Sequence, residues 1–73
     1  MILYANVDIF NEEQGKHSFS VNIDDTSDDA LKNVILEKLK IDKNIYSITE
    51  DEFKFLEKKR LIIYKIKLDK KTK

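Results

Sequence analysis

The sequence contains no cysteine, no proline and no tryptophan, with a single glycine, Gly15, and a single histidine, His17. Without cysteine there is no disulfide and no thiolate metal site. Without proline or glycine-rich stretches, no flexible linker, proline-rich ligand or second domain is expected. The lone glycine excludes phosphate-cradling loops, and with them the Rossmann and P-loop readings. The longest uninterrupted apolar runs, Met1-Ile2-Leu3-Tyr4-Ala5 and Leu61-Ile62-Ile63-Tyr64, are far short of the roughly 20 residues that span a bilayer. Met1 to Ala5 lacks a basic start and Asp8 cuts the apolar stretch early, so a signal peptide is not expected. The expectation is a soluble cytoplasmic protein with no membrane contact.

What is present favours a folded chain. Of 73 residues, 41% are hydrophobic and 38% charged, which is too apolar for disorder. Residues 1–68 read as a single compact α+β domain and 69–73 as a frayed basic tail. A domain this short lies near the lower limit at which one core holds a fold without a staple.

The clearest element runs from Thr26 to Lys40. Leu31, Val34, Ile35 and Leu39 recur on one stripe of a 3.6-residue period, with Ala30 at its edge. Thr26 or Ser27 supplies the N-cap, and Asp28 and Asp29 set negative charge at the positive end of the helix dipole. Two strands precede it. Leu3, Ala5, Val7 and Ile9 alternate with Ile2, Tyr4, Asn6, Asp8 and Phe10, and His17, Phe19, Val21 and Ile23 alternate with Ser18, Ser20 and Asn22. The polar loop between them places Gly15 where a hairpin often needs positive φ.

After the helix, Ile45-Tyr46-Ser47-Ile48 has the content of a short strand. Thr49-Glu50-Asp51-Glu52 matches a capping box for a second helix, but Phe53 and Phe55 alternate with Glu52 and Lys54, and Glu57-Lys58-Lys59-Arg60 serves as a turn. The hairpin is preferred. Leu61 to Leu68 carries the strongest strand signal. The sum is an α+β fold with one amphipathic helix packed on a mostly antiparallel sheet of four to five strands. The order is β-β-α-β-β-β, with β-β-α-β-α-β as the alternative.

If Leu3, Val7, Phe19, Val21 and Tyr64 meet the helix, then Ile2, Tyr4, Phe10, Leu61 and Ile63 remain on the other face of the sheet. An apolar patch of that extent marks an interface, and a homodimer through those five residues is the expectation.

Little in the chain supports catalysis. His17 has no partner for base or metal chemistry, and none of Ser18, Ser20, Ser27 and Ser47 lies in a nucleophile elbow. Asp24-Asp25-Thr26-Ser27-Asp28-Asp29 resembles the aspartate-rich run with which prenyl-chain enzymes hold magnesium diphosphate. Those enzymes set the run in a large helical cavity that 73 residues cannot build, and no second such run exists here. An acid-decorated helix start explains the residues. They do not fit an EF-hand loop either. No catalytic residue, cofactor or metal is expected.

The charges are sorted along the chain although the net charge is zero. Residues 1–52 hold 12 acids and 5 bases, and residues 53–73 hold 2 acids and 9 bases. Such sorting informs on partners rather than on fold. In one reading an acidic face of Asp24, Asp25, Asp28, Asp29, Glu50, Asp51 and Glu52 docks on a basic surface of a larger protein. In the alternative, Lys58, Lys59, Arg60, Lys65 and Lys67 contact nucleic-acid phosphates, against which stand the near-neutral balance and the absence of an aromatic-interleaved motif. No motif matches a family. The lysine-, isoleucine- and aspartate-rich composition resembles that of proteins from AT-rich genomes and their phages, whose small cysteine-free chains include many inhibitors of host machinery. That resemblance implies a phage-type inhibitor or regulator without naming its target; the acidic face adds the expectation that it docks on a basic surface of a larger host protein, a DNA-binding one being a candidate.

Overall fold

The computed structural model describes residues 1–71. It is an α+β fold of one helix and a four-stranded mixed sheet, in the order β1 (Ile2–Ile9), β2 (Lys16–Asn22), α1 (Asp28–Lys38), β3 (Tyr46–Leu56) and β4 (Leu61–Lys70). Across the sheet the strands lie β2-β1-β4-β3. β1–β2 and β3–β4 are antiparallel hairpins, and the two hairpins join through the parallel pair β1–β4.

Alternation decides which way each strand faces. Leu3, Ala5, Val7 and Ile9 of β1, Val21 of β2, and Ile62, Tyr64, Ile66 and Leu68 of β4 are buried against Leu31, Ile35 and Leu36 of α1. Each fully buried Leu or Ile contributes about 2 kcal/mol by leaving water. Leu36 belongs to this core although the expected stripe omitted it, while Val34 and Leu39 pack at its margin.

α1 is shorter than the expected Thr26–Lys40 because both ends are closed by caps. Ser27 is the N-cap, its Oγ accepting from the Ala30 N–H at 3.4 Å. At the other end the Lys40 N–H donates to Glu37 O at 3.0 Å and the Ile41 N–H to Leu36 O at 3.1 Å. That is a Schellman closure, in which the residue after the cap is left-handed. Lys40 occupies it with φ 58°.

Between α1 and β4 the expectation of two short strands, or of a strand and a helix, is corrected. Tyr46–Leu56 is one strand, broken in register between Ile48 and Glu50. Ile48 and Phe53 are five residues apart, so a regular strand would send them to opposite faces. The bulge at Thr49 inserts one residue and returns Ile48, Phe53 and Phe55 to the helix side. The capping-box residues therefore lie in a strand, and Glu57–Lys59 forms a single 3-10 turn closed by Arg60 at φ 50°.

Two smaller expectations also change. Gly15 does not have positive φ; a Cβ there would collide with the carbonyl oxygen of Ile9, whose N–H donates to Gly15 O at 2.8 Å. Its need is for space, not for a left-handed backbone. Asp69 and Lys70, expected in a frayed tail, belong to β4 and pair with Ser47 and Tyr46. Thr72 and Lys73 lie outside the described residues.

Candidate functional site

The register brings apart several residues that the chain holds together. Asp24, Asp25, Asp28 and Asp29 stay clustered in the β2–α1 connection and the first turn of α1, and all four are exposed. Asp24 lies 3.6 Å from the amino terminus. Among the described residues the other three make no ion pair. The Asp25 carboxylate accepts from the Ser27 N–H at 3.0 Å, and this hydrogen bond holds it below the ordinary carboxylate range. It is a local turn that positions the cap, and the charge it fixes faces water.

Glu50, Asp51 and Glu52 do not extend this cluster as one face. The strand alternation turns Glu50 and Glu52 to the side of the sheet away from α1, where they sit beside Lys67 and Lys65. Glu50 reaches Lys67 at 3.7 Å. Asp51 turns the other way, toward the helix. Its Oδ2 receives the Tyr64 hydroxyl at 3.2 Å and lies 3.2 Å from Lys32 Nζ.

Lys32 in turn stands over the Phe53 ring at 5.3 Å and the Tyr64 ring at 5.9 Å, and those rings meet edge to face at 5.5 Å. Burial, and then the Asp51 charge and hydrogen bond, push the Tyr64 hydroxyl well above the ordinary tyrosine value. This cluster ties α1 to β3 and was missed at the level of sequence. The signal that could have found it is the odd spacing from Ile48 to Phe53, since the bulge that resolves it also turns Asp51 inward. Asp29, Lys32, Asn33, Lys43 and Asp51 line a groove between α1 and β3, with Lys43 Nζ donating to Asn33 Oδ1 at 2.9 Å. So one member of the acidic cluster, Asp29, shares a surface with Asp51 while the remainder do not.

The basic residues are separated as well. Lys65 lies between Asp8 of β1 and Glu52 of β3, and Lys67 lies beside Glu50. The charge sorting seen along the chain thus becomes alternation across the sheet. Lys58, Lys59 and Arg60 remain together, exposed at the 3-10 turn.

On the open face, Ile2 and Tyr4 are 58% and 65% exposed, and the half-buried Leu61 sits beside Tyr4 with Ile63 one position further along that face. Phe10 is exposed too, but Asn6 and Asp8 intervene on the same face, so it stands apart from the other four.

His17 lies in β2 opposite Val7. Among the described residues no group of three or more His, Cys, Asp or Glu side chains is placed to hold a metal ion, and no helix is long and apolar enough to cross a membrane. In comparison with known proteins, the chain matches no family model, no curated protein and no solved structure.

Proposed function

We propose that this chain is a small non-enzymatic protein-binding module of the cytoplasm, an inhibitor or regulator that docks its acidic β2–α1 end on a basic surface of a larger protein. One observation carries the reading: Asp25, Asp28 and Asp29 are exposed together and, among the described residues, unpaired with any cation. Concentrated charge of one sign, held on a capped helix start, speeds encounter with an oppositely charged surface, while neighbouring apolar contacts set the lifetime of the complex. The basic residues offer no comparable patch along β4, where each lysine of the open face has acidic neighbours. A nucleic-acid backbone would meet alternating charge there.

The test is affinity capture from a bacterial lysate with and without nuclease, comparing wild type with the triple replacement of Asp25, Asp28 and Asp29 by Asn. Asparagine keeps the capping oxygen and removes the charge. The expected result is a stoichiometric protein lost, or eluted at much lower salt, with the triple variant. Equal retention by both proteins would overturn the acidic-end reading, and capture abolished by nuclease would move the function to nucleic acid.

A further inference from the structure

The two edges of the sheet differ in how they are guarded. β3 presents a bulge and the charged residues Glu50, Asp51, Glu52 and Lys54, both of which discourage the addition of another strand. β2 presents Lys16-His17-Ser18-Phe19-Ser20-Val21-Asn22 in uninterrupted register with β1, with no bulge, and its one formally charged residue is at the first position.

The hydrogen-bond phase of this edge is fixed at both ends. The Ile9 N–H donates to Gly15 O at 2.8 Å and the Ile23 N–H to Met1 O at 2.9 Å. In an antiparallel ladder the bonded positions alternate, so His17, Phe19 and Val21 direct their backbone groups to β1, and Lys16, Ser18, Ser20 and Asn22 direct theirs outward.

We propose that this edge pairs antiparallel with β2 of a second copy, joining two four-stranded sheets into one across a two-fold axis at Phe19. The proposal is independent of the acidic-end reading. Full overlap of the seven residues places Ser18 of one copy against Ser20 of the other, and Lys16 against Asn22. All four outward positions of each strand then find partners. The two Phe19 side chains, half-buried in the monomer, meet at a non-hydrogen-bonded position, where cross-strand aromatic pairs lie closest.

Charge complementarity selects a second copy as the occupant. Asp24, just past the end of β2 and fully exposed, comes diagonally near Lys16 of the other copy, whose ammonium then takes the place of the amino terminus 3.6 Å away as its partner. The two-fold axis makes this contact twice, and no like charges face each other in the pairing. The apolar end of the open face, around Ile2 and Tyr4, has no such complementary feature.

The experiment is light scattering coupled to size exclusion, with sedimentation equilibrium for the dissociation constant. The wild-type chain should run at twice its 8.7 kDa mass at about 100 μM. Ser20→Pro removes an outward N–H and leaves the internal ladder whole; circular dichroism should remain native and the mass should fall to one chain. Lys16→Glu alone and Asp24→Lys alone should each weaken association at least tenfold, and the double variant should recover it to within about threefold, as expected for a directly coupled pair. The charge-exchange set decides the matter even if the proline variant does not fold. A monomeric wild type, a dimer that persists in folded Ser20→Pro, or a double variant that fails to recover would each overturn the proposal.

Discussion

The hydroxyl of Tyr64, on a residue only 1% exposed, donates to Asp51 Oδ2 at 3.2 Å. The same carboxylate oxygen is 3.2 Å from Lys32 Nζ. A buried hydroxyl without a partner costs about 1–3 kcal/mol, whereas removing the hydroxyl itself costs less because Asp51 keeps Lys32 and water. Asp51→Ala should therefore destabilise the chain by about 1–3 kcal/mol and Tyr64→Phe by about 1 kcal/mol. A urea-denaturation cycle of the two single variants and the double variant checks this. Strict additivity would mean that the hydrogen bond contributes nothing.

Stability at high pH depends on the same hydroxyl. Burial, with the Asp51 charge, raises the Tyr64 ionisation above the ordinary value of 10.0. The folded state thus retains a proton that the unfolded state loses, so the contribution is fully present below about pH 10 and declines as the pH rises above it. Urea midpoints measured from pH 8 to 11 should fall more steeply for wild type than for Tyr64→Phe. Parallel curves would contradict the assignment.

Asn11 extends the parallel pairing beyond the end of β1. Its Nδ2 donates to Leu68 O at 2.7 Å and its Oδ1 accepts from the Leu68 N–H at 3.1 Å, so the amide side chain acts as one more peptide group beside β4. Asn11→Ala should cost about 1–3 kcal/mol. Asn11→Asp should be at least as harmful, since it keeps the acceptor and sets a negative charge against the Leu68 carbonyl. Thermal melts of the two variants separate a matched amide from mere polarity.

Glycine can be moved with opposite effects at two sites. Gly15→Ala places a methyl group against Ile9 O and should destabilise by several kcal/mol, a backbone collision being among the costlier substitutions. Lys40, at φ 58°, sits where glycine is the usual occupant, and Lys40→Gly should stabilise by about 1 kcal/mol. Chemical denaturation of both variants measures each sign.

Much of this fold is legible in the sequence because period and burial agree. Leu3-Ala5-Val7-Ile9 and Ile62-Tyr64-Ile66-Leu68 each place four apolar residues on one face, and the structure buries all eight. The N-cap of α1 is legible to within Thr26 or Ser27, since a hydroxyl followed by aspartates is local chemistry, whereas no glycine marks the left-handed Lys40 that closes its other end. The bulge at Thr49 was not, because it arises from two apolar groups of opposite phase competing for the same core. The chain reads as two short strands until β4 is set beside it. The same limit applies to the acidic residues: adjacency in sequence groups Glu50, Asp51 and Glu52, whereas pleating sends Asp51 to the helix and its neighbours to the opposite side. That the lysines of β4 fall among acids of β1 and β3 depends on non-local register, which no local pattern encodes.

The parallel β1–β4 pair at the centre of the sheet also sets the timetable of folding during synthesis. β1 is made before its neighbour β4, which arrives only when residues 61–70 have been made. Until then the first hairpin and α1 lack the strand that supplies Ile62, Tyr64 and Ile66 to their common core. The chain accordingly completes its core in one late, non-local step. From the time α1 emerges until β4 joins it, its apolar stripe is open to chaperones and proteases.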